Sequence, residues 1–296
     1  MSVLIYEEKK SYIDHDRLFK ELIQTFFQSF IEGFFPEEAA DIDFSTVTFL
    51  EQEIFTDIVK GERRQIDILA EVKMKQKEQI ILIHVEPQSS LQHEFNERMF
   101  IYYSRLYEKY RMPILPIAVF SYDDSRFVDD TFTIELPTVR ILSFHYLQLH
   151  LIKKSWREFI KEDNPAVAAL LSKMGYTEKE RIQVKFEFLR MISRMKLDPA
   201  KMQLMYGFFE TYLQLNEEEE QIMREKVDEL PKEESDLVSQ LPNSYFDRGM
   251  KEGLEQGIEQ GQAELVHTMF SNGLTARDIE QATNLSVERI KQLLKK

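Results

Sequence analysis

Residues 64–90 read RQIDILAEVKMKQKEQIILIHVEPQSS. Two apolar, β-branched runs, Ile66–Val72 and Ile80–Val85, flank a short turn rich in Lys, Gln and Glu, the pattern of an antiparallel hairpin. Asp67 opens the first run and Glu86 closes the second, so antiparallel pairing brings the two carboxylates to one end of the hairpin. Gln88 follows Glu86 by two residues, and strand alternation sends both side chains to the same face. Two carboxylates and an amide gathered at a sheet edge are costly without a positive partner. A hard divalent cation held by oxygen ligands suits such a cluster. The other reading is that Asp67 and Glu86 are simply solvated strand ends.

The order and spacing favour the cation. Asp67, a separation of nineteen positions, then Glu86-Pro87-Gln88-Ser89-Ser90 resembles the PD-(D/E)xK nuclease motif, and more closely its Glu-x-Gln variant in the Rpn family of recombination-promoting nucleases and putative transposases. The resemblance implies an endonuclease in which Asp67 and Glu86 bind Mg2+, or Mn2+, and Gln88 stands where the parent motif has lysine. Pro87 departs from the family pattern. It lacks a ladder donor, so the strand is expected to end or bulge there.

Working upstream, residues 14–35 read as one amphipathic helix. Leu18, Phe19, Leu22, Ile23, Phe26, Phe27, Phe30, Ile31 and Phe34 fall at helical spacing and Pro36 is the stop. At about 100° per residue Asp16 lies at the edge of this stripe with Lys20 just beyond, while Glu21 points to solvent. Asp16 is read either as a first-turn acid favouring the helix dipole or as a contributor to a site on the sheet. Asp16-x-x-Phe19-Lys20 also resembles the Rpn opening signature, which makes Asp16 a candidate catalytic residue and Lys20 a candidate substrate contact. Residues 42–58 read as a first strand, with Glu51 and Glu53 continuing it and Gly61 marking the turn into the hairpin. Arg63 and Arg64 have two readings, partners of phosphate or of the nearby acids.

Downstream, Ser89 or Ser90 is placed to cap a helix from about Leu91 to Tyr110. Arg98 on it lies one turn from Glu94 and Tyr102. Taken alone it is a partner for a glutamate, and the Rpn resemblance implies a phosphate contact. Strands are expected at Ile117–Ser121, Phe132–Leu136 and Val139–Phe144. The sum is an α/β protein with a restriction-endonuclease-like α-β-β-β-α-β core and a mixed sheet over residues 10–150, followed by an all-α C-terminal region. Helical periodicity fills residues 151–230, and residues 231–248 read as a polar linker.

The tail, residues 249–296, carries Gly249, Gly253, Gly257 and Gly261 in RGMKEGLEQGIEQGQ. A helix with this stripe gives up roughly 4 kcal/mol relative to alanine, so it needs close packing. The expectation is homo-oligomerisation through the Gly-x-x-x-Gly helix, a partly disordered tail being the alternative. The same glycine ladder is a feature of Rpn tails. Thr275 with Asp278, then Ser286, cap two short helices that resemble a helix-turn-helix, with Arg289, Lys291, Lys295 and Lys296 on the second. Groove reading and dimer packing both fit this hairpin.

The bulk properties bound these readings. The 296 residues suffice for one large or two modest cores, with 22 Phe and 12 Tyr to fill them. The absence of cysteine excludes disulfides and thiolate zinc sites and fits a reducing compartment. The apolar patch of MSVLIYEEKK is too short for a signal peptide, and no run approaches a membrane span, so a cytoplasmic protein without a membrane partner is expected. A formal charge of −14 argues against coating nucleic acid by bulk electrostatics, yet a bound cation or local basic patch still permits DNA as substrate. No P-loop, Rossmann glycine signature, Gly-x-Ser-x-Gly or His-Glu-x-x-His occurs, and His84 reads as structural. The functional expectation is a metal-dependent DNA endonuclease linked to recombination or transposition. The alternative is a catalytically weak or inactive nuclease fold acting as a DNA-associated regulatory or oligomerisation module.

Overall fold

The computed structural model describes residues 14–51, 67–75, 79–88, 94–122, 129–241, 261–283 and 285–294, and the backbone alone of 54–56 and 63–65. Its frame is a five-stranded mixed sheet. Three helices precede it: α1 (His15–Thr25), α2 (Phe27–Phe34) and α3 (Pro36–Ala40). Strand β1 (Ile42–Phe49) is followed by the short β2 (Ile54–Thr56) and β3 (Arg63–Gln65), then by β4 (Ile68–Met74) and β5 (Ile80–Gln88). Helix α4 (Phe95–Tyr110) crosses to β6 (Ile114–Phe120). After β7 (Thr131–Leu136) and β8 (Val139–His145), β9 (Leu147–His150) returns to the main sheet. The spatial order is β1-β4-β5-β6-β9, with β1, β4 and β5 antiparallel in turn and β5, β6 and β9 parallel. The α-β-β-β-α-β order expected from sequence is the order of this sheet.

Several local expectations are corrected. The single helix over residues 14–35 is two helices, because Phe26 takes φ −115° and ψ 37°. The bonds Phe26 N–H to Leu22 O and Phe30 N–H to Phe26 O persist across the break, at 3.0 and 2.8 Å. The bend lets α1 lie on β5 while α2 lies on a later helix, α6 (Pro165–Leu170). Pro36 opens α3 at its first turn, where a missing N–H is harmless. The first strand ends at Phe49, and Ile54–Thr56 pairs with β3 in a ribbon of its own. β7 and β8 likewise form a separate ribbon, and the fifth strand of the main sheet is the unexpected β9. Pro116 lies inside β6, opposite His84. Glu53, Gly61, Ser89 and Ser90 fall outside the described residues.

Pro87 neither ends nor bulges its strand, which runs on to Gln88. Leu82 donates its N–H to the Pro113 carbonyl on the β6 side. The even-numbered N–H groups of β5 therefore face β6, and the odd-numbered ones face β4. Pro87 is odd, and β4 stops at Ile68, opposite Val85. Among the described residues its missing N–H therefore breaks no ladder bond to β4.

The helical region continues with α5 (Trp156–Phe159), α6, α7 (Arg181–Arg194), α8 (Pro199–Tyr212), α9 (Glu217–Asp228) and α10 (Lys232–Ser239). All of α6 after Pro165 is buried, and Gly33 of α2 permits the close approach, since a Cβ there would sit 2.6 Å from Val167 Cγ2. Where a linker was expected, α10 docks instead: Glu234 Oε1 accepts from Arg190 Nε at 2.7 Å, and Val238 is buried. The chain divides into two compact units, Met1–Val238 and Ser239–Lys296. The second holds a helix over residues 261–271 (α11), α12 (Ala276–Thr283) and α13 (Val287–Leu293) around Val266, Ile279, Ile290 and Leu293. Gly273, at φ +87°, ends α11. Asp278 accepts from both the N–H and the hydroxyl of Thr275, at 2.8 and 2.6 Å, and Ser286 caps α13. Gly249, Gly253 and Gly257 lie outside the described residues, while a Cβ on Gly261 would meet nothing within 4 Å.

Candidate active site

The β4–β5 register decides where the acids meet. Ile68 pairs with Val85, and one further step places Asp67 opposite Glu86 on the same face. His84, Glu86 and Gln88 alternate onto that face and are 0%, 3% and 7% exposed. The face is covered by α4. Phe95 and Met99 cluster with Ala118 and Phe120 of β6, and Tyr102 and Leu106 with Leu69 of β4 and Leu82 of β5. Polar groups in the middle of this apolar contact must find partners in one another.

They do so around Glu86. Arg98 of α4 donates from Nη2 to Gln88 Oε1 at 2.7 Å and lies 3.8 Å from Glu86 Oε1. Its guanidinium rests 5.0 Å from the centre of the Phe95 ring. On the other side, His84 Nε2 is 3.3 Å from Glu86 Oε2. Gln88 Nε2 donates to the Pro87 carbonyl at 2.7 Å. The Gln88 backbone carbonyl accepts from the N–H and the hydroxyl of Ser121, at 2.9 and 3.1 Å, so the end of β6 pins the end of β5.

Asp67 shows the electrostatic state of this pocket. Burial pushes its carboxyl up to about 7, Glu86 and Asp16 push in the same direction, and Lys20 and Arg98 oppose them. Burial also holds Lys20 below its ordinary range, against the pull of Asp67 and Glu86. Three acids thus face two bases in one neighbourhood, and the bases do not offset the cost of burying Asp67 as an anion. Asp16 lies at the exposed rim, on the first turn of α1, where it also acts on Tyr212 of α8. Glu21 is exposed, as expected. The structure therefore groups Asp67, Glu86, Gln88, Lys20 and Arg98, with Asp16 at the edge. Arg98 turns to Gln88 and Glu86.

Among the described residues no group of three or more His, Asp or Glu side chains is placed to hold a metal ion. A closed protein cage is thereby absent from them. What Asp67 and Glu86 offer is an open pair of hard oxygen donors, which fits Mg2+, an ion that keeps most of its waters and takes one or two carboxylates. The raised Asp67 carboxyl is the second point of fit, since a cation would restore its charged form.

The sequence reads His84 as structural; the structure places it on the period-two face His84-x-Glu86-x-Gln88, with Nε2 3.3 Å from Glu86 Oε2.

A comparison with protein-family models finds a match, described as putative transposase, YhgA-like, over residues 13–120. Residues 13–120 are similar to this family. The YhgA-like segment runs from α1 to the end of β6 and contains every candidate site residue, so the resemblance to Rpn-type transposases is borne out at the family level. No curated protein and no solved structure matches. Among the described residues no helix is long and apolar enough to cross a membrane.

Proposed function

We propose that the YhgA-like segment is a metal-dependent endonuclease that hydrolyses phosphodiester bonds in DNA, in the service of recombination or transposition. The observation that supports this most is half-buried Asp67 beside buried Glu86, with its raised Asp67 carboxyl. Asp67 and Glu86 would hold Mg2+, with Mn2+ a substitute. The chemistry such an ion supplies when bound is polarisation of a phosphoryl oxygen and a lower pKa for water.

The remaining work falls to side chains already in place. Arg98 presents a planar fork suited to phosphate and would exchange its bond to Gln88 for one to the substrate. Lys20 supplies a second positive charge close to both carboxylates. Gln88 uses one N–H on the Pro87 carbonyl and keeps one to orient water. An amide cannot take a proton at neutral pH, so slow turnover is expected. Asp16 at the rim acts by charge on Asp67. In a plasmid assay with Mg2+, wild type should nick supercoiled DNA, and Asp67→Ala and Glu86→Ala should each abolish nicking. Undiminished nicking by both variants would remove the mechanism.

A second reading draws on Gln88, whose amide is committed to Arg98 and to the Pro87 carbonyl. In it the chain keeps a nuclease fold without turnover and acts as a DNA-associated regulatory or oligomerisation module, the glycine ladder ending at Gly261 packing against a second copy. Calorimetric Mn2+ binding that is lost in Asp67→Ala favours the enzyme. Silence in both proteins favours the scaffold.

A further inference from the structure

We infer that His84 is a positioning residue whose buried imidazole fixes the Glu86 carboxylate in its cation-holding orientation. The inference rests on the reading of Glu86 as a metal ligand.

His84 is 0% exposed, in the middle of β5. Its strand neighbours are apolar, Leu69 on β4 and Pro116 on β6. The ring of Tyr102 meets it edge-on, with centroids 5.8 Å apart. Among the described residues its one hydrogen-bonding contact is Glu86 Oε2, at 3.3 Å from Nε2. Nδ1 is buried with no hydrogen-bond partner among them. Leaving such an atom unsatisfied is destabilising. A leucine or valine, like Leu82 and Val85 nearby, would fill the space without that cost. A position serving packing alone has no reason to hold histidine, and what the histidine adds here is one N–H aimed at Glu86.

The geometry explains what that N–H accomplishes. Glu86 sits near the end of β5, past the last residue paired with β4. A glutamate there has free side-chain torsions that a cation site must restrict. Arg98 lies beside Oε1 at 3.8 Å and His84 beside Oε2 at 3.3 Å, so the carboxylate is bracketed from both sides. A carboxylate only accepts, so the contact requires a proton on Nε2. The bracket is asymmetric in use. Arg98 is partly exposed and can leave for a phosphate, whereas His84 is enclosed and must stay.

The test uses the full-length chain and Mn2+ alone, titrated calorimetrically into wild type, His84→Leu and His84→Gln. His84→Leu should weaken Mn2+ binding roughly 10- to 100-fold, the usual loss when the partner of a ligand is removed. His84→Gln, which keeps an N–H donor, should recover most of it. Equal affinity in wild type and a folded His84→Leu would overturn the positioning role and leave the proposed function standing. No Mn2+ binding by wild type would remove the proposed function and this role with it. Should His84→Leu fail to fold, the 15N spectrum of wild-type imidazoles decides instead, with the His84 signal identified by its loss in His84→Gln. A fixed Nε2–H tautomer is expected, and an Nδ1–H tautomer would overturn the assignment.

Discussion

Replacing Asp67 by asparagine should make the cation-free protein more stable at neutral and alkaline pH. The Asp67 carboxyl moves from an ordinary 3.8 to about 7 in the folded chain, chiefly through burial and then through Glu86. A raised acid binds excess proton in the folded state across that window, so stability is fully present below about 3.8 and declines as pH rises toward 7. The shift corresponds to a ceiling of about 4 kcal/mol lost by pH 8, of which about 1.5 is already lost at pH 5. The amide of Asp67→Asn cannot ionise, so the variant should lack this slope. The assay is urea unfolding in EDTA at pH 5, 6, 7 and 8, followed by fluorescence. The single tryptophan, Trp156, is 3% exposed and belongs to the first unit, so the signal reports on the unit that holds the site. The two curves should separate steadily between pH 5 and 7. Added Mg2+ should then raise wild type and not the variant. Parallel pH profiles for the two proteins would refute the buried-pair argument, since a solvated Asp67 has no such slope to lose.

Other consequences concern the rest of the chain. Lys185 is buried and its Nζ lies 2.6 Å from Glu210 Oε1, joining α7 to α8. Lys185→Ala leaves that acid without its cation and should cost about 3–5 kcal/mol in urea unfolding, and a loss under about 1 kcal/mol would show the pair to be incidental. Truncation before Gly249 should lower the mass of the particle in solution to that of one chain, and an unchanged mass would defeat self-association through the glycine ladder.

The hairpin is legible because its two apolar runs flank a short polar turn and their acids stand at opposite ends. Antiparallel pairing across that turn brings Asp67 and Glu86 to the same end. Features set by tertiary contacts were less legible. Pro87 was expected to stop its strand, because the sequence does not tell that β4 has already ended beside it. β9 is only four residues long and follows β8 across Tyr146, beyond the strand expected over Val139–Phe144. The break at Phe26 depends on α1 and α2 having different packing partners, and α10 depends on Arg190 being there to meet Glu234. Arg98 illustrates the same limit at the site. Its neighbours in sequence suggest a bond to Glu94, and only the packing of α4 on the sheet turns it to Gln88 and Glu86.

The most direct test of the central claim is a crystal of the full-length chain grown with Mn2+ and measured near the manganese absorption edge. The account predicts an anomalous peak touching one carboxylate oxygen of Asp67 and one of Glu86. Side chains of Asp67 and Glu86 turned to opposite faces of the sheet, or a pocket without manganese and with Arg98 still seated on Gln88, would contradict it.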